Sequence, residues 1–438
     1  MARTAKTRRT RLKAISLFTG AGGLDLGFEA AGFSTAVAVE MDPEAVATLR
    51  HNRDWPVIDR DIHDISSAEL LSTAKLGEAE ADVLIGGPPC QPFSKAGYWA
   101  NGATLRLEDP RAGTLGAYLR VLRETLPRAF LLENVPGLAY RGKNEGLELV
   151  ERVVKQINRE RGTHYQLAVA RLNAADYGTP QLRERLFVVG SRDGVELSFP
   201  APTHQPSPQA GQATLAKLPS YATAWDALGD LEDDDNPELA MRGKWADLLP
   251  SIPEGENYLW HTHRGGGVEL FGWRRRFWSF LLKLAKDRPS WTIQAQPGPA
   301  IGPFHWKNRR LSARELCRLQ TVPDDYEVLG SSLAVQRQLG NAVPSALAEV
   351  LARAIRRQLF GDRIDRRATL APAPRLPIPP PEPVSSVPAR FASQVGKHEA
   401  HPGTGKGYAA LARREDESRW SDVWGQDLLP LYAASTTS

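Results

Sequence analysis

Ala14-Ile15-Ser16-Leu17-Phe18-Thr19-Gly20-Ala21-Gly22-Gly23-Leu24 is a short apolar run that breaks into glycines and continues as an amphipathic stretch to Ala31. A run of that length matches a buried strand, and glycines at its end let the chain turn sharply into a helix whose first amides face a ligand. The unit recurs along the chain. Thr35 to Val39, Asp82 to Ile85, Arg128 to Leu132 and Leu186 to Val189 are similar runs, bounded by Gly, Pro or an acidic residue and separated by helical segments. Strands apolar along their whole length are buried on both faces. The pattern therefore predicts an α/β fold, a mostly parallel twisted sheet of Rossmann-like type, over residues 14–199.

Outward from this core the texture changes. Beyond Phe199, Pro200, Pro202, Pro206 and Pro208, the acidic Glu232-Asp233-Asp234-Asp235 and many tryptophans predict a second, smaller, loop-rich domain over residues 200–311. Ser312 and Glu315 have capping-box spacing, so helices are expected over residues 312–360, with Asn341 to Leu359 as a last amphipathic helix returning to the sheet. The series Pro372, Pro374, Pro377, Pro379, Pro380, Pro381, Pro383 and Pro388 reads as a stiff linker over residues 361–390. Residues 391–438, with Trp420 and Trp424, form a tail of open role. Residues 1–13 carry Arg3, Lys6, Arg8, Arg9, Arg11 and Lys13 without an acid, which fits a disordered solvated arm or a contact to an acidic polymer.

Composition bounds the rest. At about 150 residues per domain, 438 residues suggest roughly two to three domains. A hydrophobic share of 42% with 24% charged residues excludes wholesale disorder and a fibrous repeat. The net charge of +4 means that any acidic partner must meet locally concentrated cations. Two cysteines, Cys90 and Cys317, make neither a disulfide framework nor a cysteine zinc cage, so a reducing, cytoplasmic setting and no metal are expected. No apolar run approaches the roughly 20 residues of a membrane span, and no signal peptide is expected.

Three strand ends carry chemistry. Glu40 closes the second run at a distance from Gly20 that suits a carboxylate accepting ribose hydroxyls, so loop and acid together predict an adenosine-containing cofactor. Asp25 occupies the third glycine position of a dinucleotide fingerprint, which argues against a nicotinamide, and a merely tight turn is the alternative. Next, Gly86-Gly87-Pro88-Pro89-Cys90-Gln91-Pro92-Phe93-Ser94 uses three prolines to hold one thiol beyond a strand end. Cys90 is read as a nucleophile and Cys317 as a core side chain. Finally Glu133, in Leu131-Leu132-Glu133-Asn134-Val135-Pro136-Gly137, falls on the same sheet edge as Cys90. A thiol and a carboxyl there can attack and protonate one small ring, although an isolated Glu133 could equally cap a helix.

At this point the chain resembles the DNA (cytosine-5) methyltransferases of the bacterial restriction-modification type. The resemblance rests on Phe18 to Gly23, Pro88 to Ser94, Glu133-Asn134-Val135, Gln181-Leu182-Arg183-Glu184-Arg185, Arg314 to Gln320 with Pro323-Asp324, and Gly340-Asn341-Ala342-Val343-Pro344, in the family's order from Ile15 to Leu359. It implies methyl transfer from S-adenosylmethionine to carbon 5 of a cytosine flipped out of double-stranded DNA. Cys90 would add to carbon 6, Glu133 would supply a proton at ring nitrogen 3, and Arg185 would hold the carbonyl oxygen. For the cofactor the resemblance implies Phe18, Gly20, Gly22, Gly23, Leu24, Glu40, Met41, Asp61, Ile62, Pro89, Asn341 and Val343, with a helix cap as a second role for Asn341. Ser94 and Arg183 would secure the displaced strand and catalytic loop, and outside the motif Arg183 and Arg185 would read as ordinary surface cations.

Target reading is assigned by the same resemblance to residues 200–311. Arg274, Arg275, Arg276, Arg309 and Arg310 are the candidate DNA contacts, Thr292 matches the family's threonine near the target backbone, and Trp278 and Phe280 are expected to pack. A monomer is expected, with a companion restriction endonuclease acting on the same site. Two other functions compete: an RNA cytosine-5 methyltransferase, whose members generally lack so long a variable region, and an inactive DNA-binding regulator, against which the intact site argues. An amino-methyltransferase would need Asp or Asn before the two prolines, where this chain has Gly87.

Overall fold

A computed structural model describes residues 11–89, 113–136, 145–207, 218–231, 236–272, 278–362, 365 and 367–396. The elements are β1 (Leu12–Leu17), α1 (Gly23–Ala30), β2 (Phe33–Val39), α2 (Pro43–Asn52), β3 (Val57–Ile58), α3 (Ser67–Ala74), β4 (Val83–Gly86), α4 (Gly113–Thr125), β5 (Ala129–Asn134), α5 (Glu145–Arg161), β6 (Gln166–Asn173), β7 (Gln181–Leu182) and β8 (Glu184–Ser191). They are followed by α6 (Ala224–Leu228), β9 (Ser290–Trp291), α7 (Ala313–Leu319), α8 (Ser332–Asn341) and α9 (Ser345–Phe360). Seven strands form one sheet in the order β3-β2-β1-β4-β5-β8-β6. The first five run parallel, and β8 and β6 run antiparallel to their neighbours.

Alternate residues of each central strand feed two separate cores. Ile15, Leu17, Leu84, Phe130 and Leu132 meet α3, α4 and α5 on one face. Ala14, Val83, Ile85, Ala129 and Leu131 meet α1 and α9 on the other. Fully burying each such aliphatic side chain is worth about 1.5 to 3 kcal/mol, which is why these strands contain no polar alternation. The crossing of α1 and α9 is close because position 27 lacks a side chain: a Cβ at Gly27 would stand 2.4 Å from the Ala348 Cβ and 2.5 Å from the Ser345 carbonyl oxygen. The chain order explains where a ligand goes. It winds outward through β1, β2 and β3, then crosses back to β4 beside β1, and such a reversal opens a crevice beyond the strands' carboxyl ends.

Two sequence expectations shift here. β1 starts at Leu12, two residues inside the supposed arm, with the Lys13 amide on Asp82 Oδ2 at 2.7 Å; residues 1–10 lie outside the described residues. The expected helix from Asn341 to Leu359 is two helices, because Pro344 pushes the residue before it out of helical backbone and α8 ends at Asn341. The capping box at α7 is present, Ser312 and Glu315 satisfying each other's backbone amides.

Residues 218–311 contain little regular structure. The short α6 carries its own capping box, Thr223 with Asp226. An apolar cluster of Leu248, Leu249, Ile252, Tyr258, Phe280, Leu281 and Phe304 lies apart from the sheet's cores. Phe280 packs as expected, whereas Trp278 is 38% exposed with its ring edge on Trp291.

Candidate active site and cofactor crevice

The β1 to α1 turn is built from backbone that ordinary residues avoid. Phe18, Gly20 and Gly22 have φ of 54°, 55° and 79°, and nothing lies within 4 Å of where a Gly20 Cβ would be, so the turn leaves an open cradle. Gly22 caps α1 in left-handed backbone without a side-chain hydrogen bond. Gly23 is required from the other side: a Cβ there would stand 2.4 Å from the Val343 carbonyl oxygen. Val343 is buried against the loop and Asn341 is exposed two residues before it, so the end of α8 flanks the cradle.

Glu40 ends β2 beside this loop. Its carboxylate accepts the Gly20 amide at 2.6 Å and the Met41 and Asp42 amides at 2.9 and 2.8 Å. Burial pushes its pKa up against the pull of those donors. Met41 beyond it is 62% exposed, an apolar side chain facing solvent at the crevice rim. Asp61 caps the turn that holds buried Ile62, accepting the His63 amide at 3.0 Å with His63 Nδ1 at 2.7 Å, and its carboxyl lies below the usual range for that reason. Leu24 is buried in α1, and Pro89 is exposed at the exit of β4. All the expected cofactor residues thus fall at the carboxyl ends of β1 to β4 or on the α8 to α9 link.

Registry places the catalytic edge next to it. Leu17 pairs with Gly86 and Gly86 with Leu132, so Glu133 follows at the same level as Gly87. A Cβ at Gly87 would stand 2.8 Å from Glu133 Oε2, so only glycine leaves room for that carboxyl. Asn134 Nδ2 donates to the Pro88 carbonyl at 3.3 Å, and Thr114 Oγ1 to that of Pro89, also at 3.3 Å. The chain is therefore fixed up to the residue before Cys90. Cys90, Ser94 and Arg274 to Arg276 lie outside the described residues. Arg185, entering along antiparallel β8, sets its Nε 2.9 Å from Glu133 Oε1. Burial raises the Glu133 pKa, opposed by the charges of Arg185 and Arg183.

Four of the expected DNA contacts bond to the protein itself. Arg183 is 1% exposed; it donates from Nη1 to the Ile293 carbonyl at 3.1 Å and from Nη2 to that of Gly340 at 2.6 Å. It joins β8 to the second segment and to the end of α8 and presents no surface to a duplex. Arg309 pairs through both its terminal nitrogens with the buried Glu315 at 2.8 Å. Thr292 Oγ1 donates to the Leu182 carbonyl at 2.6 Å, beside the β7 to β9 pairing. Arg310 is half-buried and reaches the Pro299 carbonyl at 3.1 Å. Cys317 is a free core thiol whose pKa burial pushes up to about 12, as its place on a helix face suggested.

The sequence reading passed over Gln181 as a hub. Its side chain reaches the Leu319 carbonyl and Gln320 Oε1, each at 3.2 Å, and accepts the Ile293 amide at 3.0 Å. A buried amide leaves no periodic signal. Among the described residues no cluster of His, Cys, Asp and Glu is arranged to hold a metal ion, and no helix is long and apolar enough to cross a membrane.

The comparisons agree with this geometry. Residues 12–357 match the family model of C-5 cytosine-specific DNA methylases. The chain is 40% identical over 386 residues to the Type II methyltransferase M.SacI of Streptomyces achromogenes, covering 83% of this chain and 96% of that one. It is 47% identical over 236 residues to the Type II methyltransferase M.AquIA of a Picosynechococcus strain, 52% of this chain and 93% of that one. A protein of known crystal structure encoded within an E. coli prophage shares the fold, with a TM-score of 0.56 at 24% identity over 80% of this chain and 99% of that chain. With the sheet order, the glycine cradle and the Glu133 and Arg185 pair already in place, these matches establish that the chain belongs to the C-5 cytosine-specific DNA methylase family and is a DNA cytosine-5 methyltransferase.

Proposed function

We propose that the chain methylates a cytosine flipped out of a specific double-stranded sequence through a covalent adduct with Cys90, with Glu133 and Arg185 acting on the base. The observation that supports this most is the buried Glu133 and Arg185 pair standing against Gly87, three residues before Cys90. Attack of the Cys90 thiolate on carbon 6 pushes an electron pair into the ring, which a proton at nitrogen 3 must meet. Burial favours a protonated Glu133 for that donation, and the Arg185 guanidinium beside it suits the base's carbonyl oxygen. S-adenosylmethionine, when bound, supplies the electrophilic methyl group. Phe18, Gly20, Gly22, Gly23, Leu24 and Val343 would cradle it, Glu40 would accept its ribose hydroxyls through lone pairs not used by the three amides, and Met41, Asp61, Ile62, Pro89 and Asn341 would line the remainder. Once carbon 5 carries the methyl group, loss of the carbon 5 proton to a base, departure of the Cys90 thiolate and return of the nitrogen 3 proton to Glu133 restore the aromatic ring and the enzyme.

Residues 200–311 would read the target, and the modification would protect host DNA from a companion endonuclease of the same site, a reading supported by the Type II relatives. Covalent trapping on duplexes containing 5-fluorocytosine tests the chemistry, because fluorine cannot leave as a proton would and the adduct persists. We expect a stable complex with the native chain and none with Cys90→Ser; a stable complex with Cys90→Ser would refute the assignment. Exchanging residues 200–311 for those of a family member with another target, followed by bisulfite sequencing, tests the division of labour.

A further inference from the structure

Residues 367–396 follow the region matched by the family model, and their prolines suggest a spacer, yet they are fastened along their length. Thr369 Oγ1 and the Leu370 amide bind the two oxygens of Glu349, buried in α9, at 2.7 and 2.9 Å. The Arg375 amide then meets Asp226 Oδ1 at 2.7 Å, and its guanidinium meets Asp230 at 3.0 Å. Farther on, the Glu382 amide donates to Glu254 Oε1 at 2.8 Å and the Ser385 amide to the Pro250 carbonyl at 3.0 Å. Phe391 is 1% exposed and stacks on Trp245 at 5.8 Å and 10°. The strap thus runs from the last helix of the sheet domain into the apolar cluster of the loop-rich segment.

Its charge is needed where it lands. Lys283 and Lys286 are both buried, and among the described residues of the segment one carboxylate meets them, Glu254, 2.6 Å from Lys286 Nζ. The second comes from the strap: Glu382 Oε1 lies 3.0 Å from Lys286 Nζ, and the Pro380 carbonyl accepts from the same nitrogen at 3.2 Å. A buried cation without a matching anion is strongly destabilising. Lys307 stands at the outer side of Glu382, 3.9 Å away and partly in solvent, where it adds little.

We infer that residues 367–396 are a positioning element for target recognition, in which Glu382 balances the Lys283, Lys286 and Glu254 cluster and Phe391 completes the aromatic core around Trp245. The strap so holds the loop-rich segment in one orientation relative to α9, and through α9 to the catalytic edge. This rests on the reading that residues 200–311 recognise DNA.

The test uses the full chain with Glu382→Gln, Phe391→Ala and the double variant Lys283→Met with Glu382→Gln. Amide hydrogen exchange over residues 239–304, KM for DNA, kcat and KM for S-adenosylmethionine are measured. Both single variants are expected to speed exchange and raise KM for DNA about tenfold, with the other two constants little changed, and Lys283→Met is expected to restore Glu382→Gln by removing the surplus charge. Unchanged exchange, loss of all three kinetic properties together, or no rescue would each overturn the inference. Faster exchange with target choice and KM for DNA intact would also overturn it. Failure of the recognition reading shows separately, as a segment exchange that keeps the native target.

Discussion

The catalytic edge and the loop-rich segment hold their side chains by different physics. At the edge, Glu133, Gly87 and Glu40 are placed by strand registry and by backbone amides, so each position follows from a repeated hydrogen-bond ladder. In the described residues of 218–311 the backbone bonds are isolated ones, such as the Tyr258 amide to the Phe280 carbonyl and the Leu284 amide to that of Phe304, and side chains join them: the Trp245 cluster, the Lys286 pairings, and Arg309 on Glu315 with His305 beside it, its pKa pushed down by burial. Ladders position atoms independently of which apolar residues fill the core, whereas side-chain networks depend on every member.

The largest break in this contrast should come at the edge. Glu133→Gln keeps the shape but cannot deliver the proton, and we expect kcat to fall by about a hundredfold to ten-thousandfold with little change in S-adenosylmethionine affinity, measured by single-turnover methylation. Arg183→Ala tests the joint between the two regions. It removes two charge-assisted hydrogen bonds and leaves the Ile293 and Gly340 carbonyls unmet, so a stability loss of about 3 kcal/mol is expected in denaturant unfolding. A protein of native stability but altered DNA salt dependence would instead return Arg183 to the interface.

Glu40→Ala should weaken S-adenosylmethionine by about 1.5 to 3 kcal/mol in calorimetry, with a smaller effect on DNA. Equal loss of both affinities would indicate that Glu40 acts chiefly as a fold element through its three amide bonds. A pH titration sharpens the picture of the sheet side. Asp25, fully buried between Ser16 and Thr35 at 2.9 Å each, has its pKa pushed up by burial to about 7. The unfolded value is about 3.9, so the native state keeps a proton that the unfolded chain has lost. That contribution is complete below about pH 4, declines as pH rises towards 7, and is flat above. Asp25→Asn cannot ionise and should gain up to about 4 kcal/mol relative to the native chain as pH rises from 4 to 8, read from unfolding midpoints. A pH-independent difference would show that Asp25 stays charged.

The strands and the glycine cradle were legible because burial on both faces of a parallel sheet leaves unbroken apolar runs, and left-handed turns leave glycines. Strand β6 was not, since half its residues face solvent at the sheet's edge. The break at Pro344 had a local signal that the amphipathic pattern around it masked.

By itself the sequence determined what adjacent residues settle: the apolar runs of β1, β2, β4, β5 and β8, the Ser312 and Glu315 cap, the core place of Cys317, and the motifs that end β1, β4 and β5. Only the tertiary structure decided which charges remain free. Arg183, Arg309 and Glu382 look alike as exposed cations or an anion in a list of letters, yet their partners lie at Gly340, Glu315 and Lys286, brought near by packing. A hydrophobic run reports its own burial through its neighbours in sequence, while an ion pair is settled by whichever opposite charge the fold delivers within a few ångströms.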